Sequence, residues 1–169
     1  MEEWNSVCKL IIKWKKLDEE GKAYVNSLEN ILHQMTVSST RNVLCLFPDA
    51  LDKLKLKQYE EIEKLRQALK SMNKDYGEVC SQFIDTVNNA WTYGKSSDRN
   101  VAGFCQLDLL KMYEIVKAWM YSSFLKRIEI LRSFEYSEIV IKLRNLEFEY
   151  PSEYWSLKER VTLYCNIQA

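Results

Sequence analysis

Few residues of this chain are equipped for acid–base or nucleophilic chemistry. His33 is the one histidine among 169 residues. A Cys-His or Ser-His-Asp site would have to use it, because imidazole is the usual base near neutral pH. It falls near the end of the first predicted helix, between apolar positions and without a motif partner, which reads as a helix-end surface residue. A three-histidine zinc site cannot be built from one histidine. Cys8, Cys45, Cys80, Cys105 and Cys165 stand at long, irregular spacings and never as C-x-x-C, so zinc and thioredoxin patterns are absent. Gly94-Lys95-Ser96 has the end of a P-loop but not its start. The position five before Gly94 is Asn89, inside a predicted helix, and no strand precedes it. Acidic residues occupy solvated heptad positions, with no inward Glu-x-x-His pair of the di-iron kind. The expectation is a protein that is not an enzyme and holds no metal or cofactor.

Composition says what scaffold these residues sit on. Four glycines and two prolines make 6 of 169 residues, about 4% against a usual ~12%. Sandwiches, barrels and doubly wound sheets need many tight turns, so long helices are expected. Apolar residues at 47% exclude a disordered chain. Twenty-four basic residues balance 24 acidic ones. Lys9, Lys13 and Lys16 share a helical face but are followed by Asp18, Glu19 and Glu20, so no basic footprint recommends direct nucleic-acid binding. No N-x-Ser/Thr sequon occurs, and the longest run without Asp, Glu, Lys or Arg is Asn30 to Thr40. A bilayer span needs about 20 apolar residues. The start Met1-Glu2-Glu3-Trp4 lacks the basic and apolar regions of a signal peptide. These features predict a reduced, intracellular protein with five free thiols and no membrane partner.

The elements follow from spacing. Trp4, Val7, Ile11, Trp14, Gly21, Val25, Leu28, Leu32 and Met35 keep a 3-4 alternation broken at Asp18, which predicts a helix near 4–35. Gly21 lies on that seam, where it permits close approach of a neighbour. Thr36 to Pro48 is a partly apolar connection (Val43, Leu44, Leu46, Phe47) expected to pack on the bundle, and a short helix over Asp49–Leu54 precedes or joins the next one. Ile62, Leu65, Leu69, Met72, Tyr76, Val79, Phe83, Val87 and Ala90 predict a second long helix near 55–93. Glu60, Glu61, Lys64, Arg66, Lys70 and Lys74 are placed on its outer face, and a kink is expected at Gly77. Gly94 to Cys105 predicts a mobile loop. A third helix near 106–132 turns Leu109, Tyr113, Val116, Met120, Phe124, Ile128 and Leu131 inward. Glu135–Phe148 forms a shorter one with Ile139, Leu143 and Leu146 inward. After Pro151, Ser152 is expected to cap a last helix carrying Tyr154, Leu157, Val161 and Tyr164. Residues 1–169 thus read as a single all-α domain, an elongated bundle of two long antiparallel helices, a third helix and two shorter C-terminal ones. Trp91, Tyr93, Phe148, Tyr150, Tyr154 and Trp155 cluster near helix ends, as core or as anchors for a partner.

Two stretches resemble a known family. One is Phe47-Pro48-Asp49 with Leu54-Lys55-Leu56-Lys57-Gln58. The other is Ser123-Phe124-Leu125-Lys126-Arg127, continuing through Leu131, Ser133, Phe134 and Tyr136-Ser137-Glu138-Ile139. Both are similar to the AIRIM family, small helical ribosome maturation factors that partner type II AAA ATPases. The first helix, with Ile11-Ile12-Lys13-Trp14, Leu17 and Gly21, is similar to CINP, the cyclin-dependent-kinase-interacting protein of the same assembly. The resemblance implies an adaptor, cytoplasmic and nuclear, whose partners are an AAA ATPase hexamer and a second small helical subunit, with the pre-ribosome contacted indirectly. On the CINP side it implies a cell-cycle or replication role. It is densest at Tyr121, Phe124, Lys126, Arg127, Arg132 and Tyr136, the expected partner-binding residues. A rival likeness runs over Arg127-x-Glu129-Ile130-Leu131-Arg132-Ser133-Phe134, which is similar to the last helix of type I interferons, although about 35 residues follow it here.

Overall fold

The 3-4 spacing that begins at Trp4 becomes one uninterrupted helix, α1 (Glu2–Thr40), in a computed structural model that describes residues 2–40, 48–94, 100–101, 104–146 and 150–168. Helix α2 (Pro48–Gly94) is longer still, about 70 Å at 1.5 Å per residue. The segment Asp49–Leu54 is its first part, not a separate helix. Pro48 begins it, where a missing N–H does no harm and the fixed φ suits the first turn. Helix α3 covers Gln106–Ile130, α4 Tyr136–Leu146 and α5 Ser152–Gln168. The all-α bundle with two long helices is the observed architecture.

The Gly/Ser-rich segment is not loop throughout. Strands β1 (Asn100–Val101) and β2 (Phe104–Cys105) pair antiparallel, Asn100 opposite Cys105 and Val101 opposite Phe104, and β2 leads directly into α3. The rest of that segment (95–99 and 102–103), the apolar connection Val43 to Phe47, and Phe148 lie outside the described residues. So do the side chains of Tyr93, Cys105, Tyr164 and Cys165.

Helices α1, α2 and α3 run up, down and up. α1 meets α2 with Gly21 against Met72 and Asp18 against Tyr76. α2 meets α3 with Gly77 against Phe124 and Arg66 against Ser133. The fourth position of the bundle is shared by two short helices, since α4 and α5 each pack on both α1 and α3. One hydrophobic cluster joins all five helices, through Trp4, Val7, Ile11, Trp14 and Leu28 of α1, Ile62, Leu69, Val79, Phe83 and Val87 of α2, Val116 and Met120 of α3, Ile139 and Leu143 of α4, and Tyr154 and Leu157 of α5. Gly21 does sit at a close approach: a methyl group there would come within 2.9 Å of Met72 Cε. Gly77 does not end or divide α2. Its missing side chain makes room for the Phe124 ring, which a Cβ would meet at 3.0 Å. Ser152 is not the cap of α5, because the carbonyl of Pro151 accepts from the N–H groups of Tyr154 and Trp155 while the Ser152 hydroxyl donates to Glu153. Among the described residues no helix is long and apolar enough to cross a membrane.

Candidate functional site

The core is interrupted at mid-height by a polar layer. Asp18 occupies the next 3-4 position after Trp14, so α1 aims a carboxylate where an apolar side chain would otherwise go. It is buried, 9% exposed. Tyr76 of α2 donates its hydroxyl to Asp18 Oδ1 at 2.7 Å, and Arg127 Nη2 of α3 donates to the same oxygen at 3.2 Å. Tyr150, just before α5, donates to Oδ2. The Arg127 guanidinium also lies over the Tyr76 ring, 4.2 Å from its centroid, a cation–π contact. Burial pushes the Asp18 carboxyl above its ordinary range, against the opposing pull of the Tyr150 hydrogen bond, the Arg127 charge and the Tyr76 hydrogen bond. The phenols of Tyr76 and Tyr150 are pushed up, first by burial and then by the adjacent carboxylate.

This layer corrects the expectation for Arg127. Expected in a partner-binding patch, it is instead an internal ion-pair partner, 9% exposed. The inward line of α3 runs Tyr113, Val116, Met120, Ser123, Arg127 and Ile130, all buried. Reading the face by apolar residues alone selects Phe124 and Ile128, each one position away, and both are only half-buried. Asp18 at a seam position of α1 is the sequence sign of this layer, because a buried carboxylate requires a cation or donors opposite it.

The other expected site residues separate into groups. Tyr121 and Lys126 are exposed, but five residues place them about 140° apart around α3. Phe124 is half-buried against Gly77. Arg132 is exposed and Tyr136 half-buried, both beside the turn that joins α3 to α4. Arg66, expected on the outer face of α2, is drawn into this turn. Its side chain is 12% exposed, its Nη2 donates to the Ser133 carbonyl at 3.1 Å, and its guanidinium lies 5.7 Å from the Phe134 ring and 5.9 Å from the Tyr136 ring.

Beside the polar layer the aromatic residues near the helix ends hold the C-terminal helix in place. Trp14, Trp119, Tyr150 and Tyr154 form a chain of ring contacts, with Trp14 and Trp119 centroids 5.5 Å apart, Trp119 and Tyr150 4.8 Å, and Trp119 and Tyr154 4.9 Å. Trp155 extends the cluster outward, 5.4 Å from Tyr150. Core packing thus absorbs Tyr150 and Tyr154, while Trp155 remains 45% exposed under the ammonium of Lys158. Burial, then the nearby Lys15 charge, holds that ammonium below its ordinary range. His33 is exposed. Among the described residues no group of three His, Cys, Asp or Glu is placed to hold a metal.

Helix α3 has a second feature that its inward line does not explain. Its outer side carries Ile115, Ala118, Tyr121, Ser122 and Leu125 in succession, all exposed and none charged, with Leu107 exposed at the start of the helix. These residues point opposite to Tyr113, Val116 and Met120. No protein-family model, no curated protein and no solved structure matches this chain.

Proposed function

We propose that this chain is a non-catalytic adaptor that docks on an AAA ATPase hexamer beside a second small helical subunit, in the remodelling of large-subunit pre-ribosomal particles, as its resemblance to the AIRIM family implies. The observation that carries the docking part is the outer side of α3. A bundle helix buried along one side normally turns a polar face to water. Here Ile115, Tyr121 and Leu125 are 43%, 49% and 45% exposed on the side opposite the core. An uncharged apolar stripe rimmed by Lys111, Glu114 and Glu129 has the composition of an interface core with its polar rim. The same helix contains the densest part of the family resemblance, Ser123 to Arg127. The CINP-like reading is favoured by Ile12, which is 47% exposed within the matching segment of α1. It predicts the same ATPase with the other small subunit as neighbour, and the same cytoplasmic and nuclear location.

Affinity purification of the tagged full chain from cells, followed by mass spectrometry, tests the reading. Recovery of an AAA ATPase with a second small helical subunit is the expected result, and Tyr121→Glu with Leu125→Glu should reduce it. A chain that purifies alone, or only with a cell-surface receptor as the interferon likeness would require, overturns the adaptor assignment.

A further inference from the structure

The polar layer leaves two buried groups unanswered where α2 meets α3. Arg127 spends Nη2 on Asp18 and lays its guanidinium plane on the Tyr76 ring. Its Nε–H, nearer the stem of the side chain, is fully buried and donates to no group among the described residues. On α2, Asn73 stands three residues before Tyr76, which puts the two on one face of the helix. Asn73 as a whole is half-buried, but its Oδ1 is fully buried and accepts from no group among the described residues. Arg127, Asn73 and Tyr76 line one cavity of about 10 Å³, whose other walls are leucine and methionine. The Tyr76 hydroxyl is already committed to Asp18. On the same measure one water takes up about 10–15 Å³, so the cavity holds one and no more.

Buried polar groups that find no protein partner are answered by ordered water. The two atoms here dictate what can answer them. A guanidinium N–H only donates and an amide oxygen only accepts. A molecule bonded to both must therefore accept from Arg127 and donate to Asn73, which water does. A halide accepts from Nε–H but turns its charge on the Asn73 lone pairs, is larger than water, and meets a guanidinium already paired with Asp18. A metal cation is repelled by Arg127. We infer that this cavity is the binding site of one structural water, which accepts from Arg127 Nε–H and donates to Asn73 Oδ1. The polar layer then continues from Asp18 through Arg127 and the water to Asn73. It ties α3 to α2 through the water as the ion pair ties α3 to α1, and it leaves the guanidinium a single orientation. The site is internal and stands apart from the adaptor reading.

The test is a crystal structure of the full chain at a resolution that shows ordered water, grown with bromide in place of chloride so that a bound halide reveals itself by anomalous scattering. The expected result is one peak without anomalous signal, within hydrogen-bond distance of both Arg127 Nε and Asn73 Oδ1, about 2.7–3.2 Å. A direct bond between Nε and Oδ1, a peak that touches only one of them, a bromide peak or an empty cavity overturns the inference. Nuclear magnetic resonance of the ¹⁵N-labelled chain gives a second readout in solution. The Arg127 Hε should show a cross-peak with water of the sign that marks a long-lived bound molecule. Asn73→Leu keeps a side chain of similar size and removes the acceptor, so the cross-peak should be lost. The Tyr76 hydroxyl remains in that variant and cannot account for the loss. A cross-peak absent from wild type, or retained in Asn73→Leu, overturns the inference. The wild-type crystal and cross-peak decide the matter even where the variant fails to fold.

Discussion

Arg127→Met separates an internal ion pair from a surface patch. Arg127 and Asp18 are each 9% exposed and their charged atoms lie 3.2 Å apart. At an effective dielectric constant of about 20 that distance corresponds to an attraction of about 5 kcal/mol, before the cost of desolvating either ion. Removing one partner of such a pair leaves the other charge buried, at a cost of about 3–5 kcal/mol. Methionine preserves most of the volume, so cavity formation adds little. The expected loss is therefore about 3–5 kcal/mol at pH 7, a large part of the roughly 5–15 kcal/mol that holds a domain folded. It should be read from urea denaturation followed by far-ultraviolet circular dichroism and by tryptophan fluorescence. The pH dependence has a definite sign. Without Arg127, burial raises the Asp18 carboxyl further above its unfolded value near 4. Such a group favours the folded state fully below the unfolded pKa and loses that contribution as pH rises through the folded one. The deficit of Arg127→Met should thus be largest at pH 7 and shrink as pH falls toward 4. Asp18→Asn in the same chain removes the stranded charge and keeps one acceptor oxygen for Tyr76 or Tyr150, with an amide NH2 that can donate to the other hydroxyl, so the double variant should be more stable than Arg127→Met alone. A loss below about 1 kcal/mol, the scale of an exposed ion pair, would refute the buried-layer argument, as would strictly additive effects of the two changes.

Four further outcomes are expected. Tyr150→Phe removes one hydrogen bond to a charged carboxylate, worth about 1.5–3 kcal/mol; denaturation at pH 7 and pH 4.5 should show a smaller deficit at the lower pH, because protonated Asp18 needs the donor less. Leu69→Asp and Val79→Asp, at positions 2% and 0% exposed, should abolish the cooperative thermal transition, since each buries a carboxylate with no partner. Gly21→Leu should destabilise by about 1–3 kcal/mol through overpacking against Met72, whereas Gly21→Ala should stay within about 1 kcal/mol of wild type, because helix propensity offsets a contact with the flexible end of Met72. Thiol titration of the denatured, unreduced chain should find five free cysteines; Cys8 and Cys80 are buried and unbridged, and in the native state Cys80 should react slowly because burial pushes its thiol pKa up.

Much of the helical frame is legible in the residues themselves. The alternation from Trp4 to Met35 and from Ile62 to Ala90 puts apolar side chains on one side of a 3.6-residue period, and the scarcity of glycine and proline leaves little to interrupt it. Local patterning also locates the short helices, since Ile139, Leu143 and Leu146 turn inward as their spacing requires. What it could not give is the meaning of the exceptions. Asp18 is a break in a stripe when α1 is read alone; it is the acceptor of a buried layer once Tyr76, Arg127 and Tyr150 arrive from 58, 109 and 132 residues away. Arg127 and Arg66 look like solvated charges for the same reason, because periodicity grades a residue by its neighbours on one helix and not by what faces it. The α3–α4 turn shows the converse. Nothing local distinguishes Phe134 from a core phenylalanine, and only the packing of α4 and Arg66 around Ser133 decides that its ring stays in water. Apolar spacing is a one-dimensional property and fixes helices, whereas the pairing of polar groups depends on which helices meet and at what height, and that is settled only when the whole chain is packed.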